Sequence, residues 1–217
     1  MGFTHWLDAI SGWCPDPSAS LDAAEACAAQ ALACGRDTPT ALQLQGKLLI
    51  WQHRHPEAAV PLRGAVELAP AAAYGHFHLG EWAMWCGRSQ EALAHLDRAL
   101  ALDANDHGVF LTIRGLAMWR GGELESARRA LASAITRNPG YAWAHGAMAT
   151  VLSETGEAAS ARQAAATARR LNPRFSVDFA ARILPLAEPA TRERFVRAWR
   201  LAGMPTRESL WTPQERG

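Results

Sequence analysis

Apolar residues along this chain recur at the helical period and do not alternate. The segments Glu57–Leu68, Ser89–Leu102, Leu124–Thr136 and Ala158–Leu171 each place them at i, i+3, i+4 and i+7, the stripe that one face of an α-helix buries. A longer period overlies the short one. Ala58, Ala92, Ala127 and Ala161 follow one another at spacings of 34, 35 and 34, and Ala65, Ala99, Ala134 and Ala168 repeat the series seven residues behind. Pro70, Ala104, Pro139 and Pro173 keep the same phase. So do Gly46, Gly80 and Gly115, with Ala149 in the fourth slot, and Gly87, Gly122 and Gly156, where the earliest unit has His53. Columns that stay in phase over successive units define tandem helical hairpins.

Each column has a physical reason. Small residues such as Gly80 and Ala92 let the two helices of a pair approach closely where they cross. Gly87, Gly122 and Gly156 fall where the first helix of a pair ends, a place for a left-handed residue that glycine adopts without strain. His53 in that slot is expected to be strained. Pro70, Pro139 and Pro173 stop the second helix. A lone pair would leave apolar surface in water, so such units fold by stacking on their neighbours.

The flanks continue the pattern less regularly. Ser20–Cys34 reads as the second helix of a divergent first pair, with Ala24, Ala28 and Ala31 in the small-residue places and a short partner near Thr4–Gly12. After Pro173 come a helix over Phe175–Leu184, a break at Pro185 and Pro189, and an amphipathic helix over Ala190–Ala202 closed by Gly203 and Pro205. The expected organisation is a divergent pair over 1–38, four repeat units over 39–175, and capping helices with a tail over 176–217, all in one continuous domain.

This arrangement resembles the tetratricopeptide repeat (TPR) family. The resemblance implies an all-α, right-handed superhelical solenoid of stacked helix pairs with a C-terminal helical cap. A narrower similarity sits at the ends. The stretch Leu171–Pro205 (LNPRFSVDFAARILPLAEPATRERFVRAWRLAGMP) resembles the closing segment of TPR regions in bacterial class III nucleotide cyclases and winged-helix transcriptional regulators, and Ser11–Leu32 resembles their first helix pair. That similarity implies a regulatory or assembly module. The chain holds neither a cyclase catalytic domain nor a winged helix, so neither activity carries over.

Composition changes this picture little. The 22 Lys and Arg balance 21 Asp and Glu to a net charge of +1, which gives no global pull toward nucleic acid or membrane. Lys47 is the only lysine. From Arg169 onward, ten arginines face five acidic residues, a local excess read as a solvated helical face or as a patch for an acidic partner. Cys14, Cys27, Cys34 and Cys86 fit no metal-site or disulfide spacing. The first thirteen residues lack the features of a secretory signal, and no apolar run reaches membrane-spanning length, so the expected location is the cytoplasm.

In a TPR stack the first helix of each pair lines the concave side. Tyr74, Phe77, Glu81 and Trp85 share one face of such a helix at spacings of 3, 4 and 4. Lys47 and Trp51 precede them at equivalent places, while Trp119, Arg120 and Trp143 follow. The expectation is a groove lined by Trp51, Tyr74, Phe77, Trp85, Trp119 and Trp143, with Lys47, Glu81 and Arg120 as polar anchors, holding a protein or peptide segment. The competing reading places these aromatics in the core, against neighbouring helices or under the C-terminal cap. A third lets the tail around Trp211 fill the groove.

Catalysis is the weaker expectation. No H-E-x-x-H, P-loop or G-x-S-x-G motif occurs. His76 and His78 point apart on a helix and cannot share a metal ion, and the equivalence of His76 and His145 indicates packing. Glu81 with His78 or His107 is the one acid–base pairing to weigh. No catalytic residue, metal ligand or cofactor is assigned. Self-association through the Ala190–Ala202 helix, with Phe195, Val196 and Trp199, is the alternative function, against burial of that helix on Ala165 and Leu171.

Overall fold

The structure, a computed structural model, describes residues 1–11, 17–33, 38–103 and 108–207, without the side chains of 7–11 and 17–18. The expectations placed on Cys14, Cys34, His107, Leu210 and Trp211 lie outside these residues. Among the described residues every regular element is a helix. In chain order they are α1 (Gly2–Ser11), α2 (Pro17–Ala33), α3 (Pro39–Trp51), α4 (His55–Leu68), α5 (Ala73–Trp85), α6 (Ser89–Leu102), α7 (Gly108–Arg120), α8 (Leu124–Arg137), α9 (Ala142–Glu154), α10 (Ala158–Leu171), α11 (Val177–Ile183) and α12 (Pro189–Leu201). The helices expected from the apolar period are all present, and α4, α8 and α10 each stop two residues before Pro70, Pro139 and Pro173. Pro61 sits buried inside α4 without ending it. None of the described helices is long and apolar enough to cross a membrane.

The chain divides into two compact units, Met1–Asp106 with Pro185–Ala187, and His107–Leu184 with Glu188–Gly217. In the first, α1 packs on α2, α3 on α4 and α5 on α6, while the leading helix of a pair also meets the helix before it, as α3 meets α2 and α5 meets α4. In the second, α7 packs on α8 and α9 on α10, and α12 lies on α9.

The crossing inside each pair is set by one small residue. A Cβ added to Gly46 would come within 2.4 Å of Leu62, one at Gly80 within 2.8 Å of Leu96, and one at Gly115 within 2.7 Å of Leu131. Those three leucines are fully buried at repeat spacing. In the fourth unit the same register gives Ala149 and Ala165, both buried. A methyl gained on one helix is matched by an isobutyl side chain reduced to methyl on the other, so the pair stays closely packed.

The turn column also behaves as its residues require. Gly87, Gly122 and Gly156 have φ of 82°, 84° and 81°, and His53 is forced to 59° in the same slot. A Cβ at Gly122 would meet nothing within 4 Å, so substitution there isolates the backbone effect. Gly122→Ala is expected to destabilise the fold by about 1 kcal/mol, and His53→Gly to stabilise it by a similar amount. Urea unfolding followed by helical circular dichroism measures both.

Candidate interaction site on the leading helices

In the first unit, the register of α3 and α5 brings two opposite charges face to face. Lys47 and Glu81 lie 34 residues apart, hence at equivalent places on successive leading helices, and Lys47 Nζ donates to Glu81 Oε2 at 2.5 Å. Only 2% of Lys47 and 4% of Glu81 remain exposed. Aromatic rings enclose the pair. The Lys47 ammonium lies 4.0 Å from the centre of the Trp6 ring and 5.8 Å from that of Phe77, close enough for cation–π attraction. Phe3 stacks on His78 at 5.6 Å, and His78 Nδ1 stands 3.6 Å from Glu81 Oε2. Trp51 meets Trp6 and Trp85 edge to face, at 6.0 and 6.4 Å. Tyr74 is half exposed and turns its ring edgewise to Phe77.

Burial is the strongest influence on Lys47 and pushes its ammonium below the usual lysine range, with Glu81 pulling the other way. Burial alone would raise the Glu81 carboxyl, but Lys47 and His78 together outweigh it and bring the group down to about 2. His78 is brought down to about 4, first by burial and further by the Lys47 charge, against the pull of Glu81. At neutral pH the Glu81 carboxylate is therefore ionised beside a neutral imidazole. Trp6 Nε1, Trp51 Nε1 and His78 Nδ1 are buried with no hydrogen-bond partner among the described residues.

Phe3 and Trp6 escaped the sequence reading, which considered His78 only for metal binding and acid–base chemistry. α2 has 17 residues against 14 for α4, so α2 and α3 start 22 residues apart, against 18 for α4 and α5. That insertion puts α1 out of phase with the repeat. The expected residues Lys47, Trp51, Tyr74, Phe77, Glu81 and Trp85 do come together, but not as an open trough. Lys47, Phe77, Glu81 and Trp85 are buried and Trp51 is partly buried, because α1 carries Phe3 and Trp6 onto this face and Ala187 N–H donates to the Trp85 carbonyl.

The second unit departs further from expectation. The spacing from the α5–α6 pair to the α7–α8 pair is 35, so the slot of Trp51 and Trp85 is filled by Arg120, and Trp119 is turned about 100° around α7. Trp119 is 1% exposed and packs edge to face on Phe195 of α12 at 5.8 Å. Arg194 covers it at 4.4 Å while holding both carboxylate oxygens of Glu154. Arg120 pairs with Glu188 at 3.0 Å. Trp143 packs among Phe175, Phe179 and Trp199. Trp199 is fully buried and donates its Nε1–H to the Gly146 carbonyl at 3.0 Å. A Cβ at Gly146 would strike that indole at 2.9 Å. Trp119 is thus core, and Trp143 is partly buried beneath the C-terminal helices, since Phe195 and Trp199, one turn apart, bring α12 down on α9. The same seating uses up the face of Phe195, Val196 and Trp199 expected for self-association.

The histidines of equivalent register do equivalent work. His76 and His145 each place Nε2 on the carbonyl of the proline six residues before, Pro70 at 3.1 Å and Pro139 at 3.0 Å. His76 also faces His95, Nδ1 to Nδ1 at 3.1 Å. Among the described residues no group of three or more His, Cys, Asp or Glu is placed to hold a metal ion, and Cys27 and Cys86 are reduced thiols.

Two consequences are measurable. Lys47→Ala leaves the Glu81 carboxylate buried without its partner and is expected to destabilise the fold by about 3–5 kcal/mol, whereas Lys47→Met combined with Glu81→Leu should come close to neutral. Between the ordinary imidazole value of 6.5 and about 4, the unfolded chain takes up a proton at His78 that the folded chain does not. Stability therefore falls as pH drops through that window, by about 3 kcal/mol, and His78→Gln should flatten it. Glu81 adds a second loss between 4.5 and about 2. Denaturant midpoints across this pH range test both statements.

Comparison with known proteins bears on the fold. Residues 119–181 match the tetratricopeptide repeat family model. Among solved structures, a thermophilic TPR protein of Thermus thermophilus superposes with a TM-score of 0.67 at 18% identity, over 91% of this chain and 98% of that one. PilF of Pseudomonas aeruginosa gives 0.57 at 22% identity, over 76% and 75%. YrrB, described as a TPR protein with an unusual peptide-binding site, gives 0.52 at 18% identity, over 81% and 90%. No curated protein sequence matches the chain. The chain therefore has the tetratricopeptide-repeat fold, and its residues 119–181 carry that repeat in recognisable form.

Proposed function

We propose that the chain is a non-catalytic protein-interaction module that receives a helical or extended segment of a partner on the α3–α5 face of its first unit. The observation that carries this reading is the Lys47–Glu81 pair. A buried charge layer stabilises a core poorly compared with apolar residues of the same volume. In the second unit the corresponding places on α7 and α9 hold Leu116 and Thr150. A polar layer walled by Trp51, Phe77 and Trp85, with the Trp6 and Trp51 indole nitrogens lacking partners among the described residues, suits recognition better than packing. The half-exposed Tyr74 marks its open margin.

The helix now on that face indicates what it accepts. α1 presents Phe3 and Trp6, three residues apart on one side of a helix, to His78 and Lys47. It meets α3 less extensively than α3 meets α5. In this account α1 is a cover that a partner segment of like pattern displaces. YrrB, similar in fold, is described by its peptide-binding site, which agrees in kind. The likeness of Leu171–Pro205 to the closing segments of cyclase and regulator TPR regions favours a regulatory adaptor.

A catalytic reading has less support. Glu81, at about 2, and His78, at about 4, are both poor proton acceptors at neutral pH. The depression of about 340 Å³ beside α12 holds the Glu154–Arg194 pair already joined.

A labelled peptide of the α1 sequence tests the site. It should bind a Phe3→Ala/Trp6→Ala chain, whose face is uncovered, about tenfold or more tightly than the wild type, and Lys47→Ala or Trp51→Ala in that background should abolish binding. A peptide that fails to bind the uncovered chain, or whose binding is indifferent to Lys47 and Trp51, contradicts the reading.

A further inference from the structure

The near-neutral chain is two oppositely charged bodies. The first unit has six Lys and Arg against twelve Asp and Glu, a balance of −6, and the second has sixteen against nine, a balance of +7. The segregation is sharpest on the second helices of the pairs, whose outer faces look to solvent. α2 carries Asp22 and Glu25 and no basic residue, whereas α10 carries Arg162, Arg169 and Arg170 and no acidic one. Asp22, Glu25, Arg162 and Arg170 are all exposed. α8 reinforces α10, with three arginines against Glu125 alone.

We propose that the chain docks on a second copy of itself, the acidic outer face of one copy's first unit, centred on α2, against the basic outer face of the other's second unit, centred on α10. Every copy supplies both faces, so the complementary partner is always present at the chain's own concentration. The two faces are different surfaces, so each contact pairs unlike faces of the two copies. It is distinct from the peptide site and does not depend on it. It also does not use the apolar face of α12, which is buried. A nucleic acid fits less well, because the exposed residues between the α10 arginines are Ala166 and Gln163, not aromatic rings for bases.

Such a contact is electrostatic and weakens as salt shortens the range of the charges. Sedimentation velocity of the full chain at about 50 mM salt should show a coefficient that rises with protein concentration, with self-affinity falling about tenfold or more by about 500 mM. Arg162→Glu/Arg170→Glu and Asp22→Arg/Glu25→Arg should each remain monomeric at low salt, with unchanged helical circular dichroism. Mixed together they should associate, because each reversed face then meets a reversed face. A wild type that stays monomeric at low salt, reversal variants that associate like the wild type, or a mixture that does not recover overturns the proposal. So does a chain that remains monomeric while binding single-stranded DNA in a way lost with Arg162 and Arg170.

Discussion

Each helix pair is held at one distance by a leucine of its second helix resting on the bare backbone of its first. Leu62 on Gly46, Leu96 on Gly80 and Leu131 on Gly115 repeat the contact. The rest follows from it. With the two axes this close, the alanines at Ala58, Ala65 and their repeats become fully buried, and the outward stripe of the pair is fixed in direction. Only then do Lys47 and Glu81, on neighbouring leading helices, arrive within hydrogen-bond reach. The fourth unit keeps the geometry by another route, with Ala149 and Ala165 replacing glycine and leucine together.

The two units treat their leading helices differently. In the second, Phe195 and Trp199 turn the faces of α7 and α9 into core, with Trp199 bonded to the Gly146 carbonyl and Trp119 Nε1 buried without a partner among the described residues. In the first, the face of α3 and α5 is charged, aromatic and under-satisfied, and its cover is the short α1. A core gains nothing from burying Lys47 and Glu81 that two methylene-rich side chains would not supply more favourably. The contrast between an aromatic core and a charged face is why we propose recognition in the first unit.

Much of this was legible in the sequence. The Gly46 and Gly87 columns located the crossings and turns because backbone geometry leaves almost no choice of residue there. The strain at His53 followed from the same column and appears as its φ of 59°. Lys47 and Glu81 could be put on one face by helical spacing, but their burial could not, since that depends on α1, which the longer α2 had shifted out of phase. Trp119 was misplaced for a related reason. A one-residue change in period carries a side chain about 100° around a helix, and only α12 packed on α9 reveals which way it turned. That Phe195 and Trp199 would seat α12 mainly on α9, with a smaller contact to α10, is a tertiary outcome that helical periodicity does not encode.

The claim that joins these points is that α1 is a removable cover while α12 is part of the core. Native-state hydrogen exchange, resolved by residue, addresses it directly. The account predicts that amides of α1 exchange through a local opening well below the global unfolding free energy, while those of α12 exchange only with global unfolding of α9. Amides of α1 protected as strongly as those of α5, or a helix α12 that opens as readily as α1, would contradict it.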